Sequence, residues 1–271
     1  MKKSKKSHKT ILVGIDYTKS SGNAVEYAAM LAEQGNASLM LFHIFEAPVV
    51  HTNSGMYFIS YKAIKETSET KLENYRDILK EKYPRLHIEI LTSSEPFQMQ
   101  IEDLIRRRKV QYIVLGLETK SRISKFIYGS HGTSIAGKVN CPVIIVPQKY
   151  KDHKLVKAIL AIDNLQTATY PILKKVKDFS LYFKTGISTV HVKTPANFFF
   201  NDNSAKAKKM KLEVVEAKSF TDGIAEYAKD KNADLITIVS QSHSVLYKFF
   251  NETNTKTIAF QSRIPVMAIH G

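Results

Sequence analysis

Apolar residues in the first half of the chain form short continuous runs, separated by longer stretches in which they recur at helical spacing. The runs predict buried strands at residues 11–16, 38–44, 87–91, 112–116 and 143–147. The stretches between them predict helices near residues 20–34, 61–83, 96–109 and 128–139. Ser20 or Ser21 is the predicted N-cap of the first helix. Strands that alternate with helices indicate an α/β fold with a parallel sheet flanked by helices.

The second half of the chain repeats this pattern. Residues 11–16 return as residues 158–163, 147 positions later, and residues 112–115 return as residues 235–238, 123 positions later. The repeat predicts strands near residues 158–162, 187–192, 212–216, 234–239 and 265–269. It predicts helices near residues 166–182, 219–231 and 246–261. The offset between the two copies falls from 147 to 123, so the second half is shorter. It lacks a counterpart of the helix at 61–83, because residues 193–209 are too few and too Asn-rich.

The repeat predicts two domains, residues 1–150 and 151–271, joined near a Lys- and Tyr-rich segment at 148–152. No apolar run reaches the roughly 18 residues that a membrane span requires. The single cysteine, Cys141, cannot form an internal disulfide and is interpreted as a buried small hydrophobe. We therefore expect a cytoplasmic, globular protein that does not enter the membrane.

The chain is strongly basic, with 40 Lys and Arg against 25 Asp and Glu, a formal net charge of +15. Such an excess attracts anions in general, from nucleotides to nucleic acids. The first nine residues contain five lysines and are predicted to form a disordered basic tail. The remaining positive charge is scattered, which is more typical of a solvated surface, so nucleic acid is not the favoured partner.

Candidate binding residues follow the first and fourth strands. In open α/β sheets ligands bind beyond the carboxyl ends of the strands, where the strand order reverses. Asp16 ends the first strand and Gly116 the fourth, and Gly129-Ser130 opens the following helix. A carboxylate can accept hydrogen bonds from an amine or a ribose, while a glycine and a helix N-terminus can approach phosphate. Asp16 could equally cap the next helix. His43 and His191, each within an apolar strand, are interpreted as hydrogen-bonded core histidines.

These motifs resemble those of the universal stress protein family, and the resemblance extends over both halves. The ATP-binding members carry Gly-x2-Gly-x9-Gly-(Ser/Thr) after the fourth strand, and here only the second glycine is replaced, by Thr119. Cys141-Pro142-Val143 resembles the start of the family's final strand. The resemblance implies two Rossmann-like (adenine nucleotide alpha hydrolase-like) domains, each with a five-stranded parallel sheet, paired through their last strands. The nucleotide site that it implies comprises Gly14, Ile15, Asp16, Ile44, Gly116, Thr119, Gly129, Ser130 and His131.

In the second half the same resemblance implies no nucleotide site. Asp163 is kept, but the glycine positions become Val239, Ser242 and Glu252, and a carboxylate at the phosphate end of a helix repels phosphate.

The function implied by the resemblance is that of a non-catalytic stress-response or regulatory protein. Its ligand would be ATP, with or without Mg²⁺, or another adenine nucleotide, and slow ATP hydrolysis stays open. The alternative is a scaffold without nucleotide that binds an unknown protein through the Phe198–Phe200 region or the basic tail, or that binds nucleic acid through its basic charge. Intramolecular pairing of the two halves is the expected assembly, with a homodimer as a further possibility.

Overall fold

The structure is a computed structural model that describes residues 9–46, 49–52, 55–58, 60–95, 97–117, 141–162, 166, 168–195, 205–240 and 263–270. The first half contains, in chain order, β1 (Thr10–Ile15), α1 (Lys19–Gly35), β2 (Ser38–Ile44), β3 (Val49–Thr52), β4 (Gly55–Phe58), α2 (Tyr61–Lys82), β5 (Ile88–Ser93), α3 (Phe97–Arg107), β6 (Val110–Leu117) and β7 (Val143–Pro147). The second half contains β8 (Lys157–Ile162), α4 (Tyr170–Phe183), β9 (Gly186–Lys193), α5 (Ala205–Lys209), β10 (Leu212–Glu216), α6 (Phe220–Asp230), β11 (Leu235–Ser240) and β12 (Val266–His270).

Ten of these strands form one sheet, in the order β10-β9-β8-β11-β12-β7-β6-β1-β2-β5. All neighbours run parallel except β7 and β12, which are antiparallel, with Met267 opposite Ile144. The predicted α/β fold and the predicted pairing of the last strands are confirmed. Each half has the same strand order, and one sheet runs through both. The division into two domains at residue 150 therefore stays a prediction.

The sheet separates two hydrophobic cores. Side chains alternate along a strand, so Ile11 and Val13 of β1 face one core while Leu12 between them faces the other. Helices α1, α2 and α4 cover the first face, and α3 and α6 cover the second. Burial of each large apolar side chain contributes about 1.5–3 kcal/mol, which explains why continuous apolar runs predict these strands well.

Contacts between the halves extend beyond the strand pair. The Tyr112 ring of β6 packs edge-on against Phe179 and Phe183 of α4, with ring centroids 5.6 and 5.3 Å apart. The Gln34 side-chain amide at the end of α1 donates to the carbonyl oxygens of Leu155, at 2.9 Å, and Phe183, at 2.5 Å. Helix α1 is thereby fixed to the connection between the halves and to α4.

Two local predictions need correction, and one pair of strands was missed. Thr18, rather than Ser20 or Ser21, is the N-cap of α1, because its hydroxyl oxygen accepts a hydrogen bond from the Ser21 backbone at 3.2 Å. Helix α4 begins at Tyr170 rather than near 166, since Pro171 favours the first turn of a helix. The antiparallel pair of β3 and β4 was not predicted, although Gly55 in the short connection is a turn residue. The missing counterpart of α2 is confirmed for the described residues, where only α5 lies between β9 and β10.

Candidate functional site

The order of the strands creates a crevice beyond the carboxyl ends of β1 and β6. From β1 the chain proceeds to β2 and β5 on one side, and then crosses to β6 and β7 on the other. Helices leave neighbouring strands on opposite faces at such a reversal, so ligands of open α/β sheets bind there. Asp16 directly follows β1, and Gly116 pairs with Val146 near the end of β6. The predicted positions of these two residues at one edge of the sheet are confirmed.

The Asp16 carboxylate is held by only one of its two oxygens. Its Oδ1 accepts hydrogen bonds from the backbone N–H of Thr18 at 3.1 Å and from the Thr18 hydroxyl at 2.6 Å. Among the described residues, Oδ2 has no hydrogen-bond partner. Both interpretations of Asp16 therefore have a physical basis, because one oxygen organises the start of α1 while the other can still accept a bond from a ligand.

Tyr17, which follows Asp16, is a residue that the sequence did not single out. Its φ of 62° lies in the left-handed region, which is rare for a large side chain. The ring contacts His43, with centroids 4.7 Å apart, and the hydroxyl donates to the Ser68 carbonyl of α2 at 3.5 Å. Burial raises the pKa of Tyr17 to about 12, so the phenol is neutral at physiological pH. Tyr17 thus connects the end of β1 to α2, and no sequence signal marks its backbone conformation.

The two strand histidines have the same role in the two halves. The imidazole Nδ1 of His43 lies 2.7 Å from the Ile15 carbonyl, and that of His191 lies 2.8 Å from the Ile162 carbonyl. Each histidine is opposite that residue in the strand register. The interpretation as a hydrogen-bonded core histidine is confirmed for His191, which is fully buried, whereas His43 makes the predicted kind of hydrogen bond but is only half-buried. The imidazoles cap the carbonyls at the carboxyl ends of β1 and β8.

The remaining predicted residues that the structure describes lie on β1 and β2. Gly14 is buried and pairs with Phe42, and Ile44 is half-buried and pairs with Ser93 at the end of β2. Ile15 and Ile44 therefore reach the same edge of the sheet as Asp16. This is consistent with a site to which the ends of both strands contribute.

Gly116 has a packing role that the sequence did not reveal. A Cβ atom at this position would lie 2.4 Å from the Ser20 carbonyl oxygen and 2.7 Å from the Ser20 hydroxyl. The first turn of α1 therefore lies directly against β6, and only glycine leaves room for it. Its presence is explained without a phosphate contact.

The other predicted phosphate-site residues lie outside the described residues. They are Thr119, Gly129, Ser130 and His131, and the same holds for Asp163, Ser242, Glu252 and the Phe198–Phe200 region. Within the described ranges, no cluster of three or more His, Cys, Asp or Glu could hold a metal ion. No described helix is long and apolar enough to cross a membrane. Burial raises the pKa of Cys141 to about 12, which agrees with its interpretation as a buried small hydrophobe.

Comparisons with known proteins agree on the fold and the family. The sequence model of the universal stress protein family matches residues 7–147, just over half of the chain. Universal stress protein YxiE of Bacillus subtilis is 29% identical over 145 residues, which cover 50% of this chain and 97% of that protein. Universal stress protein MJ0531 of Methanocaldococcus jannaschii is 21% identical over 147 residues, covering 54% and 85%. The crystal structure of a universal stress protein from Archaeoglobus fulgidus matches 96% of this chain and 98% of its own, with a TM-score of 0.65 and 14% identity.

Proposed function

Since the chain belongs to the universal stress protein family, we propose that it is a non-catalytic regulatory protein whose amino-terminal half binds ATP or another adenine nucleotide. The carboxylate of Asp16 is the observation that supports this most directly. It lies at the reversal of the strand order, with Oδ1 held by Thr18 and no partner for Oδ2 among the described residues. An acceptor in that position suits the exocyclic amine of adenine or a ribose hydroxyl.

We further propose that residues 151–271 form a second unit of the same type that does not bind nucleotide. Its support is the shared strand order of the two halves and the matching bonds of His43 and His191 to the strand-end carbonyls. The Archaeoglobus structure also matches almost the whole chain, rather than one half of it. The substitutions Val239 and Glu252 at the glycine positions argue that this unit has lost its phosphate site.

The variant Asp16→Asn tests the nucleotide proposal sharply. Asparagine keeps the oxygen that accepts from Thr18, so the start of α1 is preserved, but it replaces Oδ2 by an amide that donates. If Oδ2 accepts the adenine amine, two donors then face each other. We expect ATP affinity to fall at least tenfold in titration calorimetry, about 1.4 kcal/mol. Inosine triphosphate presents a carbonyl instead of the amine. The substitution Asp16→Asn should therefore reduce the affinity for inosine triphosphate less than the affinity for ATP, or should increase it.

Asp163→Asn is the matched control, because residue 163 occupies the corresponding sequence position in the second half. We expect it to leave ATP binding unchanged, with at most one nucleotide per chain. Denaturing the purified protein and assaying the supernatant for adenine nucleotide shows whether ligand is carried through purification. If wild-type protein neither releases nor binds adenine nucleotide, the proposal is wrong, and the scaffold function becomes the better interpretation.

A further inference from the structure

A cavity lies at the amino ends of β1, β6 and β7, whereas Asp16 lies at the carboxyl end of β1. Its volume is about 410 Å³, within the range of small-molecule sites. We call it the lysine cavity and define it by six of its lining residues: Lys9, Lys109, Tyr112, Cys141, Lys175 and Asp178. Strand β1 has six residues, so the lysine cavity is roughly 20 Å from the candidate nucleotide site.

Both halves of the chain contribute to the lysine cavity. Lys9, Lys109 and Cys141 come from the first half, whereas Lys175 and Asp178 lie on α4. The three lysines bring positive charge to one space, and the only carboxylate among the lining residues that the structure describes is that of Asp178. The Asp178 carboxylate is itself bonded to Lys174 at 2.6 Å. Positive charge therefore exceeds negative charge among the described lining residues.

Lys9 and Lys175 are partly removed from water, whereas Lys109 is exposed. Burial lowers the pKa of Lys9 and of Lys175 below the usual value for lysine. The ammonium group of Lys9 also lies 3.9 Å from the centre of the Tyr182 ring. Positive charges that have lost part of their hydration interact more strongly with an anion than surface charges do. Tyr112, which also lines the cavity, adds a hydroxyl group that can donate a hydrogen bond.

The second half has a corresponding cavity whose lining differs in charge. It has a volume of about 600 Å³ and is lined by residues at the same repeat positions, 123 residues later: Ala228, Asn232, Ala233, Asp234 and Ile264 in place of Ile105, Lys109, Val110, Gln111 and Cys141. Here Asp234 provides a carboxylate that accepts from the backbone N–H groups of Val156 at 2.9 Å and Lys157 at 3.0 Å. The second half thus carries its own anion where the first half has the neutral Gln111.

We propose that the lysine cavity binds a small, multiply charged anion that carries phosphate or carboxylate groups. Lys9, Lys109 and Lys175 would neutralise its charge, and Tyr112 would donate a hydrogen bond. The cavity volume is large enough for a small metabolite but too small for a nucleic-acid duplex. This site does not depend on the nucleotide proposal, because it shares none of its residues.

Titration calorimetry of the full chain in phosphate-free buffer of low salt tests the proposal, with inorganic pyrophosphate and citrate as separate probes. We expect one of the two probes, or both, to bind once per chain. Binding of pyrophosphate alone assigns a phosphorylated ligand, and binding of citrate alone assigns a carboxylate ligand. The absence of binding by either probe overturns the proposal.

Two variants localise the binding. Lys175→Met keeps the aliphatic stem and removes the charge. Lys109→Asn imports the residue at the related position 232, where the backbone is also left-handed, with φ of 51° against 54°. Each should weaken binding at least tenfold. Lys177→Met, on the exposed side of α4, is the matched control and should change affinity less than twofold. If Lys175→Met fails to fold by circular dichroism, Lys109→Asn decides. Equal affinities in all three variants place the anion elsewhere and overturn the proposal.

Discussion

The two halves of the molecule share a frame but differ in the polar groups at the ends of their strands. Strand order and strand-end histidine are the same in both. The amino ends of β6 and β11 differ, however. Gln111 in the first half is exposed, whereas Asp234 in the second half is only 4% exposed. The buried apolar runs determine the frame, so polar residues at its edges can diverge without changing the fold.

The carboxyl ends of β6 and β11 show a second difference. Gly116 of β6 leaves room for the first turn of α1, whereas the related position in β11 is the buried Val239. Helix α4 begins at Tyr170, four residues later than the repeat position of Lys19, which starts α1. The two halves thus differ both in the residue at the end of this strand, glycine or valine, and in where the helix after their first strand begins.

The largest effect that we expect comes from Asp234→Ala. The substitution removes the acceptor of two backbone N–H groups, those of Val156 and Lys157, and leaves both without their partner. Loss of the charge-assisted bonds should lower the free energy of unfolding by about 3 kcal/mol. Urea denaturation measures it. Asp234→Asn, which retains one acceptor oxygen, should lose roughly half as much.

Gln111→Ala is the matched control at the related position of the first half. Its side chain is exposed, so we expect a change of less than about 0.5 kcal/mol. An equal loss in both alanine variants would mean that the two halves do not differ at this end of the sheet.

How far the sequence predicts this molecule depends on the range of the interactions involved. The ten strands of the main sheet are predicted to within two residues, because continuous apolar runs are a local signal of burial, whereas β3 and β4 are not predicted. The position of Asp16 followed from the strand order of α/β folds. The contact between Gly116 and Ser20 could not be predicted, since it depends on how α1 docks on β6. The left-handed backbone of Tyr17 and the cavity that Lys175 lines likewise arise only from tertiary packing.

Gly116→Ala should have the next largest effect. The new methyl group would lie 2.4 Å from the Ser20 carbonyl oxygen, so the first turn of α1 must move away from β6. Overpacking of this kind should cost about 2 kcal/mol of stability, measured by urea denaturation. Gly186→Ala is the control, because its Cβ would meet nothing closer than the Val156 carbonyl at 3.8 Å. If Gly116→Ala keeps full stability but loses ATP binding, the glycine serves the ligand rather than the packing.

Among the variants expected to lose stability, Lys154→Met should lose the least, and it separates the two kinds of bond made by Asp234. The Lys154 ammonium lies 3.4 Å from Oδ1, while the backbone N–H groups bind Oδ2. The lysine side chain is 56% exposed, so water screens the pair. Exposed ion pairs contribute roughly 0–1 kcal/mol, and we expect a loss of about 0.5 kcal/mol in urea denaturation. Added salt screens the pair and should make the stability loss of Lys154→Met smaller still. A loss as large as that of Asp234→Ala would show that the ion pair, and not the backbone bonds, makes this end of the second half differ from the first.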